Sequence, residues 1–141
     1  MLELARSIPT LVVPITELDA DPWALGVENG ILDLRQGKLV AAERADYITK
    51  VSPVAFDPEA KCPTFLKFLD DIMGGDQELV DYIQRVLGYM LTGATSEQCL
   101  FYLYGTGANG KSTLLSVCKG ILGGDLCRQT PVETIMARGA K

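Results

Sequence analysis

The chain contains no histidine, and its four cysteines, at 62, 99, 118 and 127, include no C-x-x-C pair. A structural zinc site therefore has no ligand set from which to be built. With Cys99 in an expected strand and Cys118 in an expected helix, the cysteines read as small buried hydrophobes of a reducing cytosol rather than as disulfide partners. Positive charge is short as well: 13 Lys and Arg face 18 Asp and Glu, net −5. That balance leaves no whole-surface footprint for a polyanion, so any contact with nucleic acid is expected to be local or elsewhere. No apolar run approaches the roughly 18 residues of a transmembrane helix. The opening Met-Leu-Glu-Leu-Ala-Arg lacks the charged-then-apolar order of a signal peptide. Internal repeats and low-complexity tracts are absent too. A soluble cytoplasmic protein without membrane contact is expected. What is present, 141 residues of which 48% are hydrophobic, suffices for one domain with a sizeable core and argues against disorder.

Three segments are expected. Residues 1–21 carry only a short helical signal and a Val-Val-Pro turn, and their fold is left open. In the second, 22–97, the stretch from Trp23 to Val40 alternates apolar and turn residues around Asn29-Gly30, a strong hairpin signal, so a small antiparallel β element is expected. A linker, Ala41 to Pro63, holds the β-favouring Tyr47-Ile-Thr-Lys-Val51 and three X-Pro steps that resist helix. It should lie extended over a neighbour. Pro63 suits the first turn of a helix on which Phe65, Leu66, Phe68, Leu69, Ile72 and Met73 recur at helical spacing, with Gly74-Gly75 as its stop. Asp76 then caps a second helix carrying Leu79, Ile83, Val86, Leu87, Met90 and Leu91 on one stripe, with Gly93 as its stop. The pair makes a helical hairpin whose regular apolar spacing reads as core.

The third segment, 98–141, carries the chemistry. Gly105, Thr106, Gly107, Ala108, Asn109, Gly110, Lys111, Ser112 and Thr113 spell G-x-x-x-x-G-K-[ST] directly after the apolar run Cys99–Tyr104. The bare pattern arises by accident in about one such chain in a hundred, and few accidents add the flanking strand and helix. A strand that ends in glycines and reopens as a helix aims backbone N–H groups and a positive helix terminus at one point, where the phosphates of ATP would sit. Gly105 turns the chain out of the strand, and Gly107 and Gly110 let backbone approach phosphate oxygens. Lys111, the candidate catalytic residue, supplies charge for the β and γ phosphates. Ser112 is the predicted ligand of Mg²⁺, and Thr113 helps hold the α phosphate. Asn109 either positions an attacking water or a γ oxygen, or only shapes the loop. The helix after Lys111 should run to about Leu122, with Leu114, Leu115, Val117, Cys118 and Ile121 facing a sheet and Gly123-Gly124 ending it. A short helix with Thr130 as cap, Pro131 at its first position and Glu133 completing a capping box follows.

Hydrolysis asks for more: a second strand ending in acids that orient the metal and activate water, and commonly an arginine. The carboxylates after the loop, Asp125 and Glu133, sit in a turn and a helix cap. One parallel strand with one helix also leaves sheet edges and a helix face uncovered. The expectation is the front part of a longer protein, with an α+β fold: a β-hairpin element and helical hairpin leading into the first strand, P-loop and helix of a truncated AAA+-like P-loop NTPase domain.

The residues from Trp23 through N-G-I-L-D-L-R-Q-G-K-L, A-D-Y-I-T-K-V-S-P-V-A-F-D-P and L-G-Y-M-L-T-G-A-T-S-E-Q-C-L-F-Y-L-Y-G-T-G-A-N-G-K-S-T-L-L resemble the phage and plasmid DNA primases of the P4 family. The resemblance, from about Leu18 to Arg138, is to a D5-type N-terminal region joined to the start of a superfamily 3 helicase domain. It implies an ATP-driven helicase acting in phage or plasmid DNA replication in a bacterial host, assembled as a ring, usually a hexamer, around DNA. The family's nucleotide motif falls on Gly105, Gly110, Lys111 and Ser112. Its metal-orienting acids, sensor asparagine, arginine finger and DNA-contacting hairpin would lie beyond Lys141. On the family reading the helical hairpin would pack beside the ATPase core and help subunits associate; the alternative is a simple intrachain core. Two other readings stay open: a nucleotide-binding prophage remnant without turnover, and a P-loop kinase-type transferase.

Overall fold

The computed structural model describes residues 12–131 and residue 134. It is a mixed α+β chain: a three-stranded antiparallel sheet of β1 (Ala24–Val27), β2 (Gly30–Asp33) and β3 (Lys38–Val40), followed by α1 (Pro63–Ile72), α2 (Gln77–Met90) and α3 (Lys111–Leu126). Part of the N-terminal helical signal and most of the capped helix expected at 130–136, including Glu133, lie outside the described residues. Within them are a 3₁₀ turn at Ile15–Glu17 and a Thr134 N–H donated to the Pro131 carbonyl at 3.0 Å.

The expected antiparallel element is present, but Asn29-Gly30 works differently from a turn with two left-handed residues. Val27 pairs with Gly30, so Glu28 and Asn29 form the loop, and neither has positive φ. The Asn29 amide instead donates to the Phe56 carbonyl and accepts from the Phe56 N–H, both at 2.9 Å. Gly30 is required for its φ of 151° and because a Cβ there would collide with the Val40 carbonyl. At the second turn Asp33 accepts from the Arg35 N–H at 2.8 Å and Gly37 takes φ 65°.

The linker packs beside this sheet as a strap. Val51 bridges Gly26 in parallel, the Ser52 N–H donates to the Gly26 carbonyl at 2.9 Å, and the Glu28 N–H donates to Val54 at 3.2 Å. Asp19 fastens its start by accepting from the Thr49 N–H at 2.7 Å and from the Thr49 hydroxyl. Burial pushes the Asp19 carboxyl up, but the Thr49 bonds together with the Lys50 N–H and charge outweigh it and hold the carboxyl below its ordinary range. Close approach depends on Gly26, where a Cβ would lie 2.7 Å from the Lys50 carbonyl and 2.9 Å from Ile48 Cγ2. Leu25, Val27 and Leu32 form the buried core of this half, with Leu34, Phe56, Leu91 and Leu126 against it.

The helical hairpin follows its sequence signals. Pro63 opens α1, Gly74 and Gly75 turn the chain with φ 67° and 78°, and Asp76 caps α2 by accepting from the Leu79 N–H at 3.1 Å. Gly93 is not the stop of α2, which ends at Met90. Its absent side chain lets the following loop press on Pro22, whose carbonyl accepts the Gly93 N–H at 2.7 Å.

In the last segment the described residues differ from two expectations. Cys99–Tyr104 forms no ladder with any described residue, since a strand exists only through a partner. And α3 packs on the hairpin instead of on a sheet: Leu69, Val80 and Leu114 form one buried cluster, with Phe65, Phe68, Ile72, Ile83, Leu87 and Cys118 around it. Leu115, assigned to the sheet-facing side, is 52% exposed. The helix breaks at Gly123, φ 69° and ψ −175°, before a last turn to Leu126. There the strap meets it: the buried Ser52 hydroxyl donates to the Ile121 carbonyl at 2.6 Å, and Pro53 fills the space a Gly123 side chain would need.

Candidate nucleotide-binding loop

Residues Gly105–Gly110 form an irregular loop leading into α3. Gly110 stands at the N-cap of α3 in the left-handed region, φ 80° and ψ −6°, and Ala108 is left-handed too at φ 59°. The first intrahelical bond runs from the Leu114 N–H to the Gly110 carbonyl at 2.9 Å. The N–H groups of Lys111, Ser112 and Thr113 precede it, and no side chain caps the terminus. These are the orphan donors of a helix start, at the positive end of its dipole. Ser112 and Thr113 are exposed.

The Lys111 ammonium folds back over the loop. It donates to the carbonyls of Gly105 at 3.2 Å and Thr106 at 3.3 Å and to Asn109 Oδ1 at 2.5 Å. Asn109 thus has a loop-shaping contact, and its amide nitrogen occupies the place of a Gly105 Cβ. Gly107 has nothing within 4 Å of a built Cβ, so that side of the loop is open. Gly110 is glycine for another reason besides its φ: a Cβ would lie 2.5 Å from Ile72 Cγ2 and 3.2 Å from Phe68 Cε2. The loop rests on α1. Helical spacing marked Phe68 and Ile72 as core without indicating that the loop would be their neighbour.

Before the loop, residues 99–104 are exposed except for the half-buried Phe101. Leu100, Tyr102 and Tyr104 point outward at 82%, 81% and 82% exposure, and the two tyrosine rings stack at 6.2 Å. Phe101 on the opposite side meets Tyr89 of α2 edge-on at 6.4 Å. An apolar cleft of about 410 Å³ opens between α2, this segment and α3, lined by Ile83, Leu87, Phe101, Leu103 and Leu114 among others.

All four cysteines are free, with Cys62 and Cys99 exposed, contrary to the expected burial of Cys99. Burial pushes the Cys118 thiol above its ordinary range. Among the described residues no cluster of three or more His, Cys, Asp or Glu could hold a metal, and Asp125 lies at the far end of α3 from the loop. No described helix is long and apolar enough to cross a membrane.

Comparison with known proteins gives this mixed α+β chain its family. Residues 1–74 match the family described as D5 N terminal like. The chain belongs to the D5 N terminal like family. A protein of Acanthamoeba polyphaga mimivirus, L207/L206, named as a candidate helicase, is 33% identical over 115 residues, covering 77% of this chain and 12% of that protein. A share of that size, wherever it begins, takes in α2 and the segment before the loop. The mitochondrial protein ymf21 of Marchantia polymorpha, named without a function, is 32% identical over 66 residues, covering 47% of this chain and 37% of its own length. The chain thus spans well under half the length of either relative.

Proposed function

We propose that this chain is the front part of an ATP-dependent DNA helicase of primase-helicase type, acting in phage or plasmid DNA replication, and that Gly105–Thr113 is its nucleotide-binding loop. The observation that carries the reading is the loop itself: a full G-x-x-x-x-G-K-S run whose lysine lies over the loop and whose helix starts with uncapped donors. Family membership and the mimivirus relative support the helicase setting. The uncovered Leu100, Tyr102, Tyr104 and Leu115 support a sheet completed by further chain.

In this reading the N–H groups of Lys111, Ser112 and Thr113 receive phosphate oxygens, and the open flank at Gly107 leaves them room. Lys111 exchanges Gly105, Thr106 and Asn109 oxygens for β and γ phosphate oxygens, so ligand replaces contacts that already satisfy the ammonium. The exposed Ser112 hydroxyl would hold Mg²⁺, which would supply charge neutralisation at the phosphates. Acids that activate water and an arginine for the transition state would come from chain beyond Lys141, as would DNA contacts and the surfaces of a ring, a hexamer in the family expectation. The acidic balance of this segment, net −5, accords with DNA contacts elsewhere.

A titration of the chain with a fluorescent ATP analogue and Mg²⁺ tests the reading. Binding should weaken about 10- to 100-fold in Lys111→Ala, the range for losing a charged hydrogen-bonding partner. Equal affinity of the two proteins would remove the nucleotide assignment. In the longer protein, binding without phosphate release would instead indicate a remnant that has lost turnover.

A further inference from the structure

The phosphate loop is not held by its own segment alone. Its last glycine lies against α1, where Ile72 Cγ2 and the Phe68 ring occupy the space a Gly110 side chain would need. Ile72 and Phe68 belong to the apolar group packed around Leu69, Val80 and Leu114, so one packed group joins the helical hairpin to the first turns of α3. Gly110 is also the left-handed residue that sets the direction of the helix start, at φ 80°. A shift of its carbonyl would move the first bond of α3, to the Leu114 N–H, and with it the three free N–H groups ahead of that bond. The far end of α3 is pinned independently by Ser52 and Pro53. With that end fixed, displacement at Gly110 changes loop geometry more readily than it moves the whole helix.

We propose that Ile72, seated with Phe68 under Gly110, is a positioning residue for nucleotide binding: its Cγ2 branch holds the left-handed glycine so that the loop donors converge. The proposal rests on the nucleotide reading above and deepens it by giving the hairpin a direct role at the site. Ile72 touches no phosphate in this scheme; it acts through Gly110.

The branched methyl supplies the test. Ile72→Val keeps Cγ2 and removes only the outer methyl, whereas Ile72→Leu keeps the volume and loses the branch at Cβ. Binding of a fluorescent ATP analogue with Mg²⁺ would be measured on the 141-residue chain and both variants, alongside thermal unfolding and the amide NMR shifts of Gly105, Gly107 and Gly110. Ile72→Val should bind as the unaltered chain does. Ile72→Leu should bind about three- to tenfold more weakly, the range for residues that couple to a site without contacting ligand, and should move the Gly110 amide resonance. A merely structural role would rank the two by thermal stability and leave affinity unchanged in whichever variants fold. Equal binding by Ile72→Leu, with the unaltered chain binding and Lys111→Ala not, overturns the positioning role alone. Failure of the unaltered, folded chain to bind overturns the nucleotide reading and this role with it. Should Ile72→Leu not fold, Phe68→Leu removes the ring contact at the same glycine and carries the same affinity prediction.

Discussion

The sheet with its strap and the stretch from Cys99 to Gly110 are similar in apolar content and opposite in closure. Around β1 the backbone is bonded on both sides, by β2 and by the strap, and Asn29, Asp19 and Asp33 spend their side chains on backbone donors or acceptors. Between Cys99 and Tyr104 no ladder forms among the described residues, and four large side chains, Leu100, Tyr102, Leu103 and Tyr104, are exposed. The first region specifies itself through local turn chemistry and close glycine contacts. The second is apolar and has no pairing partner among the described residues.

The sharpest way to break this contrast is to remove the cluster that ties the loop segment to the hairpin. Leu69, fully buried at 0% exposure, lies at its centre. Leu69→Ala should destabilise the chain by about 2–5 kcal/mol in denaturant unfolding, the range for a buried leucine. A change under about 0.5 kcal/mol would mean that the cluster does not carry the packing assigned to it.

A pair of glycines sharpens it next. Gly26→Ala drives a methyl into the strap at the Lys50 carbonyl and should cost about 1–3 kcal/mol. Gly107→Ala meets open space at a position without positive φ and should leave stability within about 0.5 kcal/mol. Equal losses from the two would erase the distinction between closed and open regions. Amide exchange makes the same comparison along the backbone: Ile31 and Leu32 should be protected, while Leu100 to Tyr104 exchange close to unprotected rates. Strong protection across 100–104 would show that the segment has found a partner.

The smallest expected effect is acid sensitivity at the edge of the sheet. Arg35 grips Asp21 with two hydrogen bonds of 2.9 Å and lies 5.6 Å from the Trp23 ring centre. The Arg35 bonds, then the Trp23 N–H, hold the Asp21 carboxyl below its ordinary range, with burial opposing slightly. A depressed carboxylate contributes stability that is present above its unfolded pKa of about 4 and is lost as pH falls through the folded value. Asp21→Asn should therefore flatten the acid limb of the stability profile slightly, since exposed pairs contribute little. An unchanged limb would mean that the pair contributes nothing measurable.

Much of this fold could be read from the sequence, and the gaps have a common physical origin. Pro63, Gly74-Gly75 and Asp76 delimit the hairpin because caps and breakers act within a few residues of themselves. The reversal at Asn29-Gly30 is legible although its turn residues are Glu28 and Asn29, because the residue types suit a reversal, while the Asn29 amide's partner Phe56 is 27 residues away. Gly93 differs from its expected role for the same reason: a glycine near a helix end has the local signature of a stop, whereas its contact is with the distant Pro22. Likewise the nine loop residues were legible as a motif, whereas Ile72 beneath Gly110 was not, since periodicity marks a buried face without naming what covers it.

The hydrogen bond from Ser52 to the Ile121 carbonyl joins groups 69 residues apart. Its consequence is one of timing. Local turns and the β1–β2 pairing need only short chain closures, but this contact requires the strap and the end of α3 to be in place together, so it belongs on the native side of the folding barrier. Deleting the hydroxyl in Ser52→Ala should speed unfolding and leave the refolding rate nearly unchanged; a slowed refolding limb would move the contact into the nucleus. During synthesis every residue of the sheet and strap is added before Ile121, so this contact can close only after they are made.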